Sequence, residues 1–192
     1  MDLSGKLILV VASSGSGKGV LIDHIRNCFP EYVYPVAFTT RAMRPGDVDG
    51  AVYHFISRED FEVRITSGDF LEHAEFGGNL YGTPRQEIMQ ALAEGKIVIR
   101  EVESQGAAQI KISIPKENLK ILFIDAGDWS HLEKRIIARA PIAADELERR
   151  RLHYEHEREF MSESDYVIKN EDGKLEDAKQ SIEEVVRLII EA

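Results

Sequence analysis

A single cysteine, Cys28, leaves the chain without any internal disulfide and suits a reducing compartment. On the first expected helix it reads as a small apolar residue. Long apolar runs are also missing. Nothing approaches the roughly 18–20 residues that a membrane-spanning helix needs. The apolar run in "MDLSGKLILVVASS" follows an acidic residue rather than a basic segment and has the length of a buried strand, so no signal peptide is expected. Basic residues are the third shortage: 24 Lys and Arg stand against 34 Asp and Glu, a formal net charge of −10. A nucleic-acid binder usually carries a basic footprint. Neither nucleic acid nor membrane is therefore expected as a partner, and where the arginines gather matters more than their number.

What is present, 192 residues at 43% hydrophobic, suffices for one substantial core with small appendages. Repeats, low-complexity tracts and flexible linkers are absent. The runs "KLILVVA" (Lys6 to Ala12), "KIVIREV" (Lys96 to Val102) and "LKILFIDA" (Leu119 to Ala126) read as buried strands, and "SDYVIKN" (Ser164 to Asn170) as a short last one. Helices are expected after Lys18, from Pro84 to Glu94, from Gln105 to Ile112, from His131 to Arg139, and in the amphipathic C-terminal stretch. This alternation implies a parallel sheet covered by helices. Two segments break the rhythm. Residues 37–83 hold short alternating pieces such as "VYHFI" and "FLEHAEF" and read as a small, mostly antiparallel insertion. Residues 140–158 are dense in charge and read as helical.

The stretch "VASSGSGKGVL" (Val11 to Leu21) joins the first strand to the first helix. Glycines at 15 and 17 let backbone N–H groups point inward, and a helix N-terminus adds partial positive charge. Lys18 adds a mobile full charge, so the loop reads as a phosphate cradle; a glycine-rich turn without chemistry is the alternative. A second constellation lies in the insertion. "TTRAMRPGDVDGAVYHF" brings Arg41, Arg44 and Tyr53, and "FLEHAEFGGNLYGT" brings Glu72, Tyr81 and Thr83. Two guanidinium forks and two phenols suit one phosphate monoester. A carboxylate such as Glu72 can accept two parallel hydrogen bonds, which the N1–H and N2 amine of guanine offer.

With these residues in view, the chain resembles the guanylate kinase family over nearly its full length. "SGSGKG" is similar to that family's phosphate loop, "TTRAMRPGDVDGAVYHF" to its "TTRxxRxGExxGxxYxF", and "FLEHAEFGGNLYGT" to "FxExAxxxGNxYGT". "EVESQGA" resembles "DxDxQGA", and "DYVIKNED" resembles "DYxIxNDD". The resemblance implies a P-loop nucleoside monophosphate kinase-like three-layer α/β fold. Its parts would be a core (1–36, 84–135, 158–192), an NMP-binding insertion (37–83) and a short helical lid (136–157) in one compact unit. It also implies ATP-dependent phosphorylation of GMP and dGMP by in-line transfer, in the cytoplasm, by a monomer or homodimer.

The resemblance further implies residue roles. Ser13, Ser14, Gly15, Ser16, Gly17, Lys18, Gly19 and Val20 would bind the ATP phosphates, with Asn170 near the adenine. Arg41, Arg44, Tyr53 and Tyr81 would hold the GMP phosphate. Glu72 would read the guanine, assisted by Glu103 and Thr83. In the lid and its flanks, Arg135, Arg139, Arg149 and Arg150 fall where the family supplies cations to the transferred phosphoryl group; Arg139 and Arg150, then Arg135, are the expected catalytic ones beside Lys18 and Arg41.

The chain departs from the family in five places, the smallest being Ala12 where the loop's first glycine is usual. Gly19 and Val20 lack the hydroxyl that such loops present to Mg²⁺, so the ion would be held by nucleotide phosphates and water rather than by a side chain. Ala37 replaces a serine that helps recognise guanine O6. Glu101 and Glu103 replace an aspartate pair, and "RAPIAADE" replaces a lid that begins "RG". His24, His54, His73, His131, His153 and His156 show no metal-ligand spacing with cysteine, and no protein-bound metal is expected. Two other readings stay open at this point. One is a kinase of the same fold with another phosphorylated acceptor, favoured by Ala37; the other is a non-catalytic guanylate kinase-like binding module, favoured by "GKGV".

Overall fold

The structure, a computed structural model, describes residues 2–139 and 142–191, the side chain of Arg139 excepted. Among these residues the chain forms eight strands and seven α-helices in a mixed α/β arrangement with a parallel central sheet. That sheet has the order β6-β1-β7-β8. Its strands are β1 (Lys6–Ala12), β6 (Ile97–Val102), β7 (Leu119–Asp125) and β8 (Tyr166–Lys169), close to the runs read from the sequence. Leu7 to Val11 are fully buried, which is why β1 is apolar at every position rather than at alternate ones. The chain divides into two compact units.

The first unit comprises Met1–Leu7, Val33–Arg100 and Gln105–Leu119. It contains a four-stranded sheet of order β3-β2-β5-β4, built from β2 (Ala37–Thr39), β3 (Tyr53–Phe55), β4 (Phe70–Phe76) and β5 (Asn79–Pro84). β2–β5 and β4–β5 are antiparallel and β2–β3 is parallel, so the insertion is mostly antiparallel as expected. Register sorts its side chains by face. Partners Ala37/Tyr53, Thr39/Phe55, Thr39/Tyr81, Glu72/Thr83 and Ala74/Tyr81 share one face; Phe38, His54 and Gly82 take the other. The second face packs a cluster of Phe61, Phe70 and Leu80, with Phe38, Ile56 and Ile65 against it.

Phe61 lies on α2 (Arg58–Ser67), a helix that the sequence reading did not name. Ser57 caps it by accepting from Asp60 N at 3.0 Å, and Gly68 ends it with φ of 73°. Phe61 is its one buried residue, so no apolar stripe advertises the helix. Gly82 has no Cβ because one there would sit 2.8 Å from Phe70 Cδ1 and 2.9 Å from Phe61 Cζ. α3 (Arg85–Ala93) follows β5 directly, and α4 (Ser104–Ser113) follows β6.

The second unit comprises Ile8–Tyr32, Glu101–Ser104 and Lys120–Ala192. α1 (Lys18–Cys28) follows β1 and packs on α7 (Leu175–Glu191). α7 buries Ala178, Ile182, Val186 and Ile189, the stripe of an amphipathic helix. α5 (Trp129–Arg139) precedes α6 (Ala144–Phe160), a single helix across the charged segment; Ala140 and Pro141, noted in the lid sequence, lie outside the described residues. Arg158 Nη1 and Tyr154 Oη both donate to Gly127 O, each at 3.2 Å, tying α6 to the turn after β7. No described helix is long and apolar enough to cross a membrane.

Phe61→Ala should destabilise the first unit by about 3–5 kcal/mol, because it leaves a cavity among the other rings of its cluster. Urea unfolding followed by circular dichroism reads this as a lower midpoint; a midpoint unchanged from the parent would show that the cluster does not hold the sheet together.

Candidate active site

The loop from Ser13 to Gly17 is shaped by glycines at positive φ, 85° at Gly15 and 84° at Gly17, a conformation only glycine adopts freely. Gly17 is also pinned from outside: Asn170 Nδ2 donates to Ser16 O at 2.6 Å and stands 2.5 Å from where a Cβ on Gly17 would be. Asn170 is buried; its visible task is to brace the phosphate loop from the end of β8. α1 then begins at Lys18 with no side-chain cap and no acidic residue in its first turn. Its first amides are therefore left for an anion. Ser16 Oγ is buried and has no hydrogen-bond partner among the described residues, an orphan that a bound phosphate oxygen would satisfy. These observations fit a nucleotide phosphate. Gly19 opens on empty space and Val20 is exposed, so the start of α1 offers a cation no hydroxyl, only room for a hydrated one.

Arg150 on α6 reaches this loop: its Nη1 lies 3.4 Å from Ser14 Oγ, while its Nε donates to Glu146 Oε1 at 2.9 Å. Arg135 on α5 donates to Asn170 O at 2.9 Å and pairs with Asp172 at 2.6 Å, so it supports the residue that braces the loop. Arg149 is exposed and bound to Asp145 and Glu146 of its own helix. The side chain of Arg139, expected beside Arg150, lies outside the described residues.

The patterned face of the first unit's sheet carries the other expected residues. Tyr53 and Tyr81 stand with ring centroids 5.8 Å apart. The Arg41 guanidinium lies 5.7 Å from the Tyr53 ring centre and 5.3 Å from that of Phe55. It pairs with Asp47 at 2.9 Å and donates to Ala42 O at 2.9 Å. Asp47 also accepts from Arg44 N at 2.7 Å. That backbone bond first, and the Arg41 side chain second, hold its carboxyl below the usual carboxylate range. The Arg44 side chain is exposed. Arg41, Tyr53 and Tyr81 thus converge, with Asp47 standing where an anion would otherwise draw Arg41.

Further along the same face is a buried carboxylate. Glu72 lies opposite Thr83, whose Oγ1 donates to Glu72 Oε1 at 2.5 Å. Arg100 Nε donates in turn to Thr83 Oγ1 at 3.1 Å. Gln109 clamps the next residue, donating to His73 O at 2.9 Å and accepting from His73 N at 3.2 Å. Gly106 approaches from α4: a Cβ there would sit 2.8 Å from Glu72 Oε2. Ala37, on this face and fully buried, offers no donor.

In the second unit, Glu103 Oε2 lies 3.3 Å from His153 Nε2, and the buried Glu157 accepts from Ser104 N at 3.0 Å. The hydrogen bond to Glu103 raises the His153 pKa, against desolvation and the charge of Lys18. His153, given no role from the sequence, is therefore a partner of an expected site residue.

Sequence reasoning passed over Asp47, Arg100, Gly106, Gln109 and His153. Two carried a signal. Arg100 is a cation that interrupts the apolar run of "IVIREV", and Asp47 stands at the acidic position of "RPGD". The partners of Gln109 and His153 are 36 and 50 residues away, where no local pattern reveals them.

Comparison with known proteins gives one answer. The sequence model of the family described as "Guanylate kinase" matches residues 4–188. A guanylate kinase of Trichormus variabilis is 44% identical over 180 residues, spanning 94% of this chain and 88% of that protein. One of Nostoc sp. is 44% identical over 181 residues, with 94% and 89% covered. Among solved structures, the crystal structure of guanylate kinase from Anaplasma phagocytophilum superposes with a TM-score of 0.74 at 26% identity, covering 97% of this chain and 87% of its own.

The His153–Glu103 contact sets a pH dependence. A raised folded pKa means that its stabilisation is complete below the unfolded value, about 6.5, and is lost as pH rises through the folded value. Titration of the His153 ring proton by NMR should give a midpoint above that of a free histidine. Glu103→Gln should bring it down; an unshifted midpoint in that variant would discount the contact.

Proposed function

The chain belongs to the guanylate kinase family and phosphorylates GMP with ATP, and from that premise we propose how its own residues divide the work. Lys18 and the amides of Ser13 to Val20 hold the donor phosphates. Arg150, already at the loop through Ser14, meets the charge that develops on the transferred group. Arg139 is its proposed companion, and Arg135 acts from behind through Asn170 and Asp172. Arg41, Arg44, Tyr53 and Tyr81 bind the acceptor phosphate; on its arrival Arg41 exchanges Asp47 for a phosphate oxygen. An anionic phosphate oxygen is already a nucleophile, so no general base is needed. Glu72 accepts from N1–H and N2 of guanine, with Thr83 fixing the rotation of the carboxylate and Glu103 assisting.

Mg²⁺ bound with ATP would supply positive charge to offset that of the donor phosphates. With no hydroxyl at residues 19 and 20, its protein contacts are proposed to run through water, toward Glu101 and Glu103. The observation that carries this assignment is the patterned sheet face, which sets a buried, oriented carboxylate and the Arg41–Tyr53–Tyr81 cluster on one side of the same four strands. The insertion (37–83) and the lid (136–157) are the proposed moving parts, dGMP a second acceptor, and the cytoplasm the proposed site of action, for a monomer or homodimer with no nucleic-acid or membrane partner. The acidic balance and the lone cysteine support that setting.

A coupled assay of ADP release with ATP and Mg²⁺ tests the reading. GMP and dGMP should turn over and AMP, CMP and UMP should lag far behind; equal rates with AMP and GMP would refute the role of Glu72. Lys18→Ala should lower kcat by about a hundredfold or more while GMP binding is kept. Full activity in that variant would refute the loop assignment. Ala37→Ser restores a hydroxyl to the base-binding face and should raise the preference for GMP over AMP by about tenfold, the equivalent of one hydrogen bond. An unchanged ratio would show that guanine O6 finds its donor elsewhere.

A further inference from the structure

His24, Cys28 and Glu183 share no residue with the sites above, yet their donor atoms converge. His24 and Cys28 are four apart on α1 and lie on one face of it. Glu183 reaches them from α7, which packs on α1. The three atoms make a nearly equilateral triangle. His24 Nε2 is 3.6 Å from Cys28 Sγ, Cys28 Sγ is 3.5 Å from Glu183 Oε2, and that oxygen is 3.4 Å from His24 Nε2. The last distance exceeds the about 2.7–3.2 Å of an ordinary N–H···O bond. It matches the edge of a tetrahedron around zinc: with bonds of about 2.3 Å to sulfur and about 2.1 Å to nitrogen or oxygen, those edges come to about 3.4–3.6 Å. The outer shell is arranged too. Arg187 donates to Glu183 Oε1 from Nη2 at 2.8 Å and from Nε at 3.2 Å, which leaves Oε2 turned toward the imidazole and the thiol. The His24 and Glu183 side chains are 24% and 30% exposed, so water can reach a fourth position.

We propose that His24 Nε2, Cys28 Sγ and Glu183 Oε2 bind one zinc-like divalent cation, with water as the fourth ligand. On binding, the S–H bond breaks, sulfur gives its electron pair to the metal, and the proton leaves to solvent; nothing is oxidised or reduced. Thiolate, imidazole and one carboxylate form a donor set that prefers zinc to magnesium. The site is therefore chemically separate from any ion that accompanies a nucleotide, and it stands or falls independently of the phosphotransfer reading. Its mechanical effect is to staple α7 to α1, the helix whose first residue is Lys18. Glu183 comes 155 residues after Cys28, so no local motif announces the site. A second cluster, Glu103, His153 and Glu157, serves as an internal control: it lacks sulfur, and its His153–Glu157 edge is 4.0 Å.

Cobalt(II) added to the reduced chain without oxygen tests this directly. One equivalent should give a near-ultraviolet thiolate-to-cobalt charge-transfer band and the intense visible bands of four-coordinate cobalt, and zinc should displace it one for one. Cys28→Ser should abolish the charge-transfer band. His24→Ala and Glu183→Gln should each weaken cobalt binding at least about tenfold, and His153→Ala should leave the spectrum unchanged. Zinc should also raise the Tm of the parent and not that of Cys28→Ser, a second readout that does not need every variant to bind cobalt. Weak octahedral bands, a spectrum unaltered in His24→Ala, or no zinc-dependent rise in the parent Tm would overturn the assignment.

Discussion

A buried carboxylate has to be held, and the short bond from Thr83 to Glu72 is the contact on which the proposed base-reading face depends. An ionised group taken out of water is costly unless hydrogen bonds replace its solvent. Thr83 supplies one, and Arg100 bonds to Thr83 from behind, bringing a positive charge to the same chain of contacts. Placement follows from the register of β4 and β5, which sets Glu72 opposite Thr83 with Tyr81 two residues away on the same face. One slip in that pairing would turn all three side chains away. The motif "NLYGT" is thus a piece of sheet logic: Tyr81 and Thr83 share the face of Glu72, and Gly82 faces the aromatic cluster because any side chain there would strike Phe70 and Phe61. Gly106 answers to the same carboxylate from α4, which gives the glycine of "SQGA" a steric reason.

The proposed phosphate loop follows a parallel rule in the other unit. It must hold glycines at positive φ, leave amides unpaired and still not collapse. Asn170 meets that demand by taking Ser16 O, and Arg135 fastens Asn170 through its carbonyl. "KNED" therefore reads as a brace for "SGSGKG", although the two lie far apart in sequence. With the loop held by Asn170, the missing hydroxyl at residues 19 and 20 leaves the loop's shape untouched.

The strands of the parallel sheet were legible because burial on both faces makes them continuously apolar, and α7 because its stripe is strong. α2 was missed because one phenylalanine anchors it, although its cap at Ser57 and its stop at Gly68 were both written in the chain. The residues proposed to bind the acceptor were legible as motifs, and the structure gathers Arg41, Tyr53 and Tyr81 on one face with Glu72. Their partners were not. Asp47, Gln109 and His153 matter through pairings made by the fold, and a charge or an amide among many on an acidic chain carries no mark of the group it will meet. The same holds for His24, Cys28 and Glu183, where helix packing alone makes the triangle.

An acidic protein that binds two polyanions poses an electrostatic problem, and the arginines show how it is handled. Arg41 rests on Asp47, Arg150 on Glu146, and Arg135 on Asp172. Each guanidinium is thus held extended by a carboxylate of its own unit, which limits the entropy lost when a phosphate arrives. Where a phosphate takes the carboxylate's place, one anionic partner is exchanged for another, and the released carboxylate is free to take up water. Asp47 is suited to this exchange because its bond from the Arg44 amide, the larger cause of its lowered pKa, does not involve the Arg41 side chain. The net charge of −10 is therefore compatible with phosphate binding: Asp47, Glu146 and Asp172 stand beside the arginines that a phosphate would claim.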